Sequence, residues 1–248
     1  MVATKLSVNV NKYALLRNSR GRNAPDILEA IDVVLAAGAH GITIHPRRDE
    51  RHVRFDDIPA VAHHLAAHHP GIELNIECEA HPAIVERVLA VRPAQCTLVP
   101  VRPGEVTSDH GYDLPRESEA LRPLVRTLQA EGIRVSIFME CDPAPMVHAA
   151  ELGVDRVELY TGPYAWAWGT SEQAAETERV HQAAREAARQ GLGVNAGHDL
   201  DRHNLLGLRG LDVLDEVSIG HAQICRALEV GTTQSVRELL RALPGGTP

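Results

Sequence analysis

The chain has 248 residues, of which 33 are acidic and 25 are Lys or Arg, so its formal net charge at pH 7 is -8. This acidic balance, with only 3% aromatic residues, excludes a general nucleic-acid-binding protein, which needs a basic surface and aromatic side chains for stacking. The 44% hydrophobic content excludes a disordered chain, and no apolar run reaches the ~20 residues of a membrane-spanning helix.

Eight short β-rich segments recur along the chain, separated by segments rich in Ala, Leu, Glu and Arg that indicate helices. The predicted strands are 6–11, 41–46, 72–77, 95–100, 134–140, 156–162, 193–198 and 216–221. The predicted helices are 26–37, 57–68, 82–91, 116–131, 144–152, 171–190 and 232–242. Four glycines follow Ala-rich helix ends and predict left-handed C-terminal caps: Gly38, Gly132, Gly153 and Gly191.

The alternation of strands and helices at this length predicts an α/β fold, a (β/α)8 TIM barrel. The alternative is a doubly wound open sheet, but such a sheet normally carries a Gly-rich phosphate loop after its first strand, and none follows here. No linker or composition break divides the chain. We therefore expect a single domain over residues 1–248, with a frayed tail at Gly245–Pro248.

In a (β/α)8 barrel, chemistry collects at the carboxyl ends of the strands. Polar side chains fall at these ends in the present sequence: Asn9, Asn11, His45, Arg47, Asn75, Glu77, Glu140, Glu158, Thr161, Asn195, His198 and His221. Because burying an unpaired charge is costly, so many ionisable groups indicate an active site. The alternative for some of them is a set of structural ion pairs beneath the site.

Three regions of the predicted catalytic face suggest phosphate recognition. Strands seven and eight both end in Gly-His, at 197–198 and 220–221, in the position of the usual phosphate loops of barrel enzymes. The segment HPRRDERHVR (45–54) and the pair Arg17 and Arg20 are locally basic, and arginine matches phosphate oxygens in a bidentate manner. Tight turns and a solvated loop are the alternatives.

The segment VRPGEVTSDHGYDL (101–114) is a long polar connection after strand four. Long loops on the catalytic face of barrels often act as lids that exclude water, so we expect either a lid or an ordinary mobile loop.

The 14 histidines and 4 cysteines raise the question of a metal site. His64 and His68 lie one helical turn apart in HHLAAHH (63–69), but no HExxH motif or obvious third ligand accompanies them, so we interpret them as an exposed helix face. His45, His198 and His221 at strand ends suit acid–base chemistry better. The cysteines form no CxxC pair and predict reduced thiols in a cytoplasmic protein.

Seven segments read in order resemble the pyridoxine 5'-phosphate synthase family: VNVNKYALLRNSRG, GITIHPRRDERH, NIE, LVPVRPGEVT, ELYTGPYA, VNAGHDL and IGHA. The resemblance covers residues 6–240 and implies a (β/α)8 barrel with a few extra helices. It also implies a homo-octamer that needs no cofactor and no metal. The implied reaction condenses 3-amino-2-oxopropyl phosphate with 1-deoxy-D-xylulose 5-phosphate to give pyridoxine 5'-phosphate, phosphate and water.

The resemblance also implies roles for individual residues. His45 and Glu77 correspond to the proton acceptors of the family, and His198 corresponds to its proton donor. The groups that hold the aminoketone phosphate are Asn9, Arg20, Gly220 and His221. Those that hold the sugar phosphate are Arg47, His52 and Thr107. A histidine of pKa ~6.5 and a carboxylate whose pKa is raised by burial suit the proton transfers of this reaction.

The chain departs from the family pattern in two places. Asn11 and Lys12 stand where the better-known branch has Asp-His, which changes the charge and the hydrogen bonds offered to the sugar phosphate. Asp199 stands where the family usually has glycine, and its carboxylate is unfavourable beside a phosphate unless the side chain points away. We expect all three residues to contact substrate.

Two other functions are open to such a sequence. Another phosphate-handling barrel enzyme, an isomerase or aldolase, would share the loops after strands seven and eight. A Schiff-base aldolase would need a strand-end lysine, and the chain has only Lys5 and Lys12. A non-catalytic paralogue that binds one sugar phosphate is the second alternative. In every case we expect small phosphorylated ligands rather than nucleic acid or a membrane as partners.

Overall fold

The computed structural model describes residues 4–102, 104–105 and 107–245, and in it eight parallel strands close into a barrel in chain order. The strands are β1 Lys5–Asn9, β2 Gly41–Ile44, β3 Glu73–Cys78, β4 Gln95–Leu98, β5 Arg134–Met139, β6 Arg156–Tyr160, β7 Gly193–Gly197 and β8 Leu214–Ile219. The barrel closes where β1 pairs with β8, with Lys5 opposite Glu216. The predicted (β/α)8 fold is confirmed, and the alternative of an open sheet is wrong.

Ten α-helices and one short 3-10 helix, Asn204–Leu208, accompany the strands in the described part of the chain. The α-helices are α1 Asn11–Asn18, α2 Ile27–Ala36, α3 Asp57–His68, α4 Pro82–Val91, α5 Leu114–Ala130, α6 Met146–Leu152, α7 Gly162–Ala167, α8 Gln173–Arg189, α9 His221–Val230 and α10 Thr232–Ala242. All seven predicted helices are present. Helices α1, α7 and α9 are the extra ones, and each begins within two residues of a strand end.

The barrel interior is polar at mid-height, because alternate side chains of each strand point inward. Ser7 and Thr43 hydrogen bond across it at 2.7 Å between their hydroxyl oxygens, and Thr97 Oγ1 donates to Asn75 Oδ1 at 3.0 Å. Asn195 Oδ1 accepts from Arg156 Nη1 at 3.0 Å. Asn75 and Asn195 therefore belong to this interior layer and do not line the pocket described below.

Ion pairs close the amino end of the barrel. The Glu73 carboxylate accepts from Lys5 Nζ at 3.2 Å and from Arg134 Nη2 at 2.7 Å. These contacts are the structural ion pairs considered for some strand residues, and they use one of the two lysines of the chain. Lys5 therefore lies at the end of β1 opposite to the catalytic face.

The four predicted helix caps are confirmed, with positive φ angles of 110° at Gly38, 78° at Gly132, 88° at Gly153 and 82° at Gly191. The predicted frayed tail falls almost wholly outside the described residues, since only Gly245 of it is described. Over the described residues, none of the helices combines the length and apolar character that a membrane span requires.

Candidate active site

A pocket with a volume of about 490 Å³ opens at the carboxyl ends of the strands. It is lined by Asn9, Asn11, Lys12, Leu15, His45, Arg47, Arg51, His52, Glu77, Thr107, Ser108, Glu158, His198, Asp199, Leu200, Ser218, Ile219, Gly220, His221 and Ala222. Every site residue predicted from the sequence lines it except Arg20. Arg20 is exposed just beyond the end of α1, so the structure does not bring it to this pocket.

The buried pair of Glu77 and His45 forms the floor of the pocket. His45 Nδ1 lies 2.9 Å from Glu77 Oε2, and Asn9 Nδ2 donates to Glu77 Oε1 at 3.3 Å. The backbone N–H of His45 donates to Asn11 Oδ1 at 2.9 Å. Strands β1, β2 and β3 are adjacent in the barrel, so this network follows from the strand order and holds the side chains of Glu77 and His45 in place.

The surroundings of the Glu77 carboxyl group favour its ionised form. Burial alone raises its pKa, but the hydrogen bond and charge of His45, the charge of His198 and the amide of Asn9 together bring the pKa below its usual value. The sequence led us to expect a catalytic carboxylate with a raised pKa, and for Glu77 that expectation is wrong. The hydrogen bond and the charge of His45 stabilise the ionised carboxylate in a way that a buried carboxylate on its own would lack.

Glu158 on β6 shows the raised pKa instead. Burial is the largest cause of this rise, and the charges of Glu77 and Glu216 add to it, so the pKa of Glu158 lies well above the ordinary value of a glutamate. Its Oε2 and the Nε2 atom of His45 are both buried and have no hydrogen-bond partner among the residues described. Both residues line the pocket.

The role of Glu158 was not predicted beyond its position at a strand end. The signal in the sequence was the alternation along β6, which puts Glu158 on the inward face of its strand. Glu158 is buried there and lines the pocket, as Glu77 does in β3. Gly197 on the neighbouring strand leaves it room, since a Cβ atom there would lie 2.3 Å from Glu158 Oε1. A side chain at position 197 would thus displace the carboxylate of Glu158 from its present position.

His198 lies at the end of β7 in a left-handed conformation, with a φ angle of 79°. Its ring packs against Phe138 and Tyr160, with centroid distances of 5.2 and 5.4 Å. Burial lowers its pKa, although the nearby carboxylates of Glu77 and Asp199 oppose this effect. Thr161 Oγ1 donates to the carbonyl oxygen of His198 at 2.7 Å and fixes the turn.

Asp199, which replaces the usual glycine, keeps the left-handed conformation that a glycine would adopt, with a φ angle of 58°. Its Oδ2 atom accepts a hydrogen bond of 3.0 Å from Trp166 Nε1 of α7. The carboxylate is thereby held by a side chain that does not line the pocket. An aspartate beside a bound phosphate requires a side chain that points away from it, and the contact with Trp166 provides a partner for the Asp199 side chain.

The loop after β4 meets the loop after β2 at Arg47. Arg47 Nη2 donates to Ser108 Oγ at 3.1 Å and lies 3.3 Å from Glu105 Oε1. Thr107 lies between these two residues in sequence and lines the pocket. The predicted lid segment therefore packs over the basic HPRRDERHVR segment. Its opening and closing stay a prediction.

His52 is buried and neutral. Its Nδ1 atom accepts from the backbone N–H of Val53 at 2.9 Å, which places the ring proton on Nε2. Burial, followed by the positive charges of His45, Arg47, Lys12 and Arg51, lowers the pKa of His52 to about 3. His52 can therefore donate one hydrogen bond to a phosphate without carrying a charge.

Two polar residues predicted on the catalytic face have structural roles instead. Arg17 is buried and forms a bidentate ion pair with Asp57 of α3, at 2.7 and 2.8 Å, so the expectation that it joins a phosphate-binding patch is wrong. Glu140 is exposed and accepts from the backbone N–H of Gly111 at 3.0 Å. It anchors the end of the long loop and does not line the pocket described above.

The loop after β8 leads directly into helix α9, whose first residue is His221. A Cβ atom at Gly220 would lie 2.8 Å from the backbone oxygen of Asn9, so only glycine fits between β1 and β8. The first backbone N–H groups of a helix are unpaired and attract anions. The loop after β7 is followed by the 3-10 helix Asn204–Leu208.

Comparison with known proteins gives a consistent result along the whole chain. Residues 6–244 match the family model described as "Pyridoxal phosphate biosynthesis protein PdxJ". A pyridoxine 5'-phosphate synthase of Albidiferax ferrireducens is 47% identical over 253 residues, covering 99% of both chains. One from Leptospira biflexa is 44% identical over 255 residues, covering 98% of both.

Solved structures of low sequence identity share the fold. The tryptophan synthase A-subunit of Pyrococcus furiosus superimposes with a TM-score of 0.62 at 14% identity, covering 96% of this chain and 97% of that one. The phosphoribosyl anthranilate isomerase of Thermus thermophilus gives a TM-score of 0.58 at 14% identity, covering 96% and 98%. At such identities the likeness establishes the barrel and nothing about the reaction.

Proposed function

The chain belongs to the pyridoxine 5'-phosphate synthase family, PdxJ, and we propose that the pocket at the carboxyl end of its barrel is where the two substrates condense. Enzymes of this family join 3-amino-2-oxopropyl phosphate and 1-deoxy-D-xylulose 5-phosphate into the ring of pyridoxine 5'-phosphate, and this chain is such a ring-forming synthase. The observation that carries the assignment of the site is the Glu77–His45 pair, buried at the centre of a pocket whose rim offers phosphate-binding groups.

The two phosphates would bind in different sectors of the rim. The loops after β7 and β8 supply backbone N–H groups, the start of α9 and the Gly220-His221 pair for the aminoketone phosphate. The loops after β2 and β4 supply Arg47 and neutral His52 for the sugar phosphate. Lys12 lines the same pocket and adds a positive charge that the Asp-His pair of the better-known branch does not carry. With the two phosphates bound in this way, the reactive carbon and nitrogen atoms would lie over Glu77.

The reaction forms an imine, eliminates phosphate and water, and closes a ring, and each step moves a proton. Ionised Glu77 accepts protons from substrate, because its pKa is held low and its oxygens lie in the pocket floor. His45 assists these proton transfers through its 2.9 Å contact with Glu77. Its Nε2 atom is buried and has no hydrogen-bond partner among the described residues. His198 donates a proton beside the loop after β7, and its packing against Phe138 fixes the direction.

Glu158 adds a second kind of carboxyl group to the same pocket. Because its pKa is raised well above the ordinary value, Glu158 keeps its proton to higher pH than Glu77 does and can offer an O–H donor to a developing negative charge. A sequence of proton abstractions and eliminations needs groups of both kinds.

We extend the proposal to assembly and location. Family resemblance suggests a homo-octamer, and exposed apolar side chains on α1 (Leu15, 42%, and Leu16, 49%) and α9 (Leu228, 78%) are suited to contacts between copies. A cytoplasmic location agrees with four free cysteines, three of them buried. Sedimentation analysis of the purified chain tests the assembly.

The function is tested by incubating the purified protein with both substrates and measuring pyridoxine 5'-phosphate and inorganic phosphate. We expect the two products to appear in equal amounts, and neither to form when one substrate is omitted. Phosphate release without the ring product, or no product from both substrates, would contradict the proposed reaction at this site.

A further inference from the structure

A cluster of histidines lies on the outer face of the barrel between helices α2 and α3. His64 is in the last part of α3 and His69 directly follows that helix, within HHLAAHH. The sequence offered no third ligand, and we interpreted this segment as an exposed helix face. The fold supplies the missing group, because Asp32 of α2 lies against both histidines. None of the three residues lines the active-site pocket.

The three side chains converge on one point. Asp32 Oδ1 lies 2.7 Å from His64 Nε2 and 2.6 Å from His69 Nε2, and the three ligand atoms all lie within 4.8 Å of one another. The side chain of His64 is 15% exposed and that of His69 is 24% exposed, whereas that of Asp32 is 49% exposed. The two imidazole rings are therefore enclosed by their surroundings, whereas the more exposed Asp32 carboxylate has room to change its position.

The end of α3 produces this convergence. Two residues five apart on a continuous helix point about 140° away from each other around its axis. His69 leaves the helical conformation, with φ -134° and ψ 56°, and this turn brings its ring to 5.6 Å from that of His64. The ring of His68 lies 4.8 Å from that of His64 and shields its other side.

We propose that Asp32, His64 and His69 bind a divalent transition-metal ion, of which Zn²⁺ suits the ligand set best. Two imidazole nitrogens and one carboxylate oxygen are typical zinc ligands, with metal–ligand distances of ~2.0–2.2 Å. Tetrahedral ligands at that distance lie roughly 3.3 Å apart, so the half-exposed Asp32 has to move by under about 1 Å. The metal would replace the hydrogen bonds between the two imidazole Nε2 atoms and Oδ1.

The position of the ion defines its role. It joins α2 to the end of α3 in the outer layer of the barrel, where it would stabilise the folded chain without touching the substrate pocket. The same residue types also meet at Glu105, Asp109 and His110 in the loop after β4. There, Glu105 already lies 3.3 Å from Arg47 Nη2, and a metal would compete with that cation.

The test is zinc binding to chelator-treated full-length protein, measured by competition with a chromophoric zinc indicator. We expect one high-affinity equivalent per chain in the wild type, and affinity at least tenfold lower in Asp32→Asn, His64→Gln and His69→Gln, comparable to the ~10–100-fold effects of perturbing metal sites. His63→Gln, an exposed histidine of the same helix, is the matched control and should bind as the wild type does.

Thermal unfolding with and without Zn²⁺ gives a second measurement. Zinc should raise the Tm of the wild type and of His63→Gln, but not that of His64→Gln, because an ion bound only to the folded state stabilises it. Turnover should be the same in Asp32→Asn and the wild type. Equal zinc affinity in His64→Gln and His63→Gln would overturn the proposal, as would binding that is lost only in His110→Gln.

Discussion

Glu77 and Glu158 are both buried glutamates that line one pocket, yet their pKa values move in opposite directions. For both, burial favours the neutral form, and the difference lies in the neighbours. Glu77 has the imidazole of His45 at 2.9 Å and the amide of Asn9, whereas Glu158 faces other carboxyl groups and has an oxygen without a partner among the described residues. One fold thereby provides a base and an acid at the same pH.

Trp166 on α7 is the residue on which tolerance of Asp199 depends. Trp166→Phe removes the indole N–H that holds Asp199 Oδ2, and the freed carboxylate then repels the phosphate bound by the loops after β7 and β8. We expect the KM for 3-amino-2-oxopropyl phosphate to rise roughly fivefold, about 1 kcal/mol, with little change in kcat. Steady-state kinetics with the second substrate saturating measures this.

The double variant Trp166→Phe with Asp199→Asn is the control for that experiment. It lacks the indole N–H but also lacks the negative charge, so KM should return toward the wild-type value. If KM stayed high in the double variant, the effect would come from lost packing of Trp166, which is 64% exposed, and not from charge.

At the scale of elements, the Arg17–Asp57 pair connects α1 to α3 beneath the loop after β2. Arg17 Nη2 also donates to the carbonyl oxygen of His52 at 3.2 Å. Arg17→Met leaves Asp57 buried beside an apolar side chain, and we expect the free energy of unfolding to fall by about 3–5 kcal/mol. Chemical denaturation measures the change.

Arg20→Met is the matched control, because Arg20 is an exposed arginine just beyond the same helix. Its free energy of unfolding should stay within about 0.5 kcal/mol of the wild-type value. A variant of Arg17 that keeps full stability but loses affinity for the sugar phosphate would restore the phosphate-binding role suggested by the sequence.

Strand β8 carries a second consequence of burial. Burial raises the pKa of Glu216 to about 7, so the folded state binds a proton that the unfolded chain releases near pH 4.5. A raised pKa means that stability present at low pH is lost as the pH rises through 7. Relative to Glu216→Gln, the wild type should lose about 3 kcal/mol of unfolding free energy between pH 4 and pH 8.

Urea denaturation of both proteins at several pH values measures this difference. Using the difference between wild type and variant removes the contributions of the other titrating groups that behave alike in both. A difference that does not change with pH would mean that Glu216 ionises normally within the barrel.

The elements that were predictable from the sequence are those with a strong local pattern. In most of the strands buried apolar residues alternate with polar ones, and the periodic helices on the outside pack against them. Helix α1 was missed because NKYALLRN is short and follows the strand without a break. Helix α7 was missed because it is only 6 residues long and begins with Gly-Pro.

At the scale of the whole molecule, a net charge of -8 coexists with cationic side chains gathered at one pocket. Lys12, Arg47 and Arg51 line this pocket together with three acidic residues. The cationic side chains suit small phosphorylated substrates, and the overall negative charge discourages binding of nucleic acid. The net charge is therefore a poor guide to the charge of the site.

The membership of the site was largely predictable because strand order in a (β/α)8 barrel fixes which loops meet. The sequence could not distinguish strand-end residues that face the pocket from those one layer below. Asn75 and Glu77 lie two residues apart on the same face of β3, yet only Glu77 reaches the substrate space. Nor could it show that Arg17 has Asp57 as a partner, since 40 residues separate them.

The proposed reaction depends most on Glu77 as the proton acceptor of the condensation. Glu77→Gln keeps the shape of the side chain and the contact with Asn9, but it cannot accept a proton. Removal of a general base typically costs ~10²–10⁴-fold in rate, and we expect kcat to fall within that range while both substrates still bind. Glu140→Gln, at the end of β5 and outside the pocket, is the matched control and should turn over normally.

The deciding measurement is kcat for formation of pyridoxine 5'-phosphate by Glu77→Gln and Glu140→Gln, together with calorimetric affinities for each substrate. We predict a loss of at least 100-fold in kcat for Glu77→Gln with unchanged affinities for both substrates, and wild-type kinetics for Glu140→Gln. Wild-type turnover by Glu77→Gln with unchanged binding would contradict the assignment of Glu77 as the base.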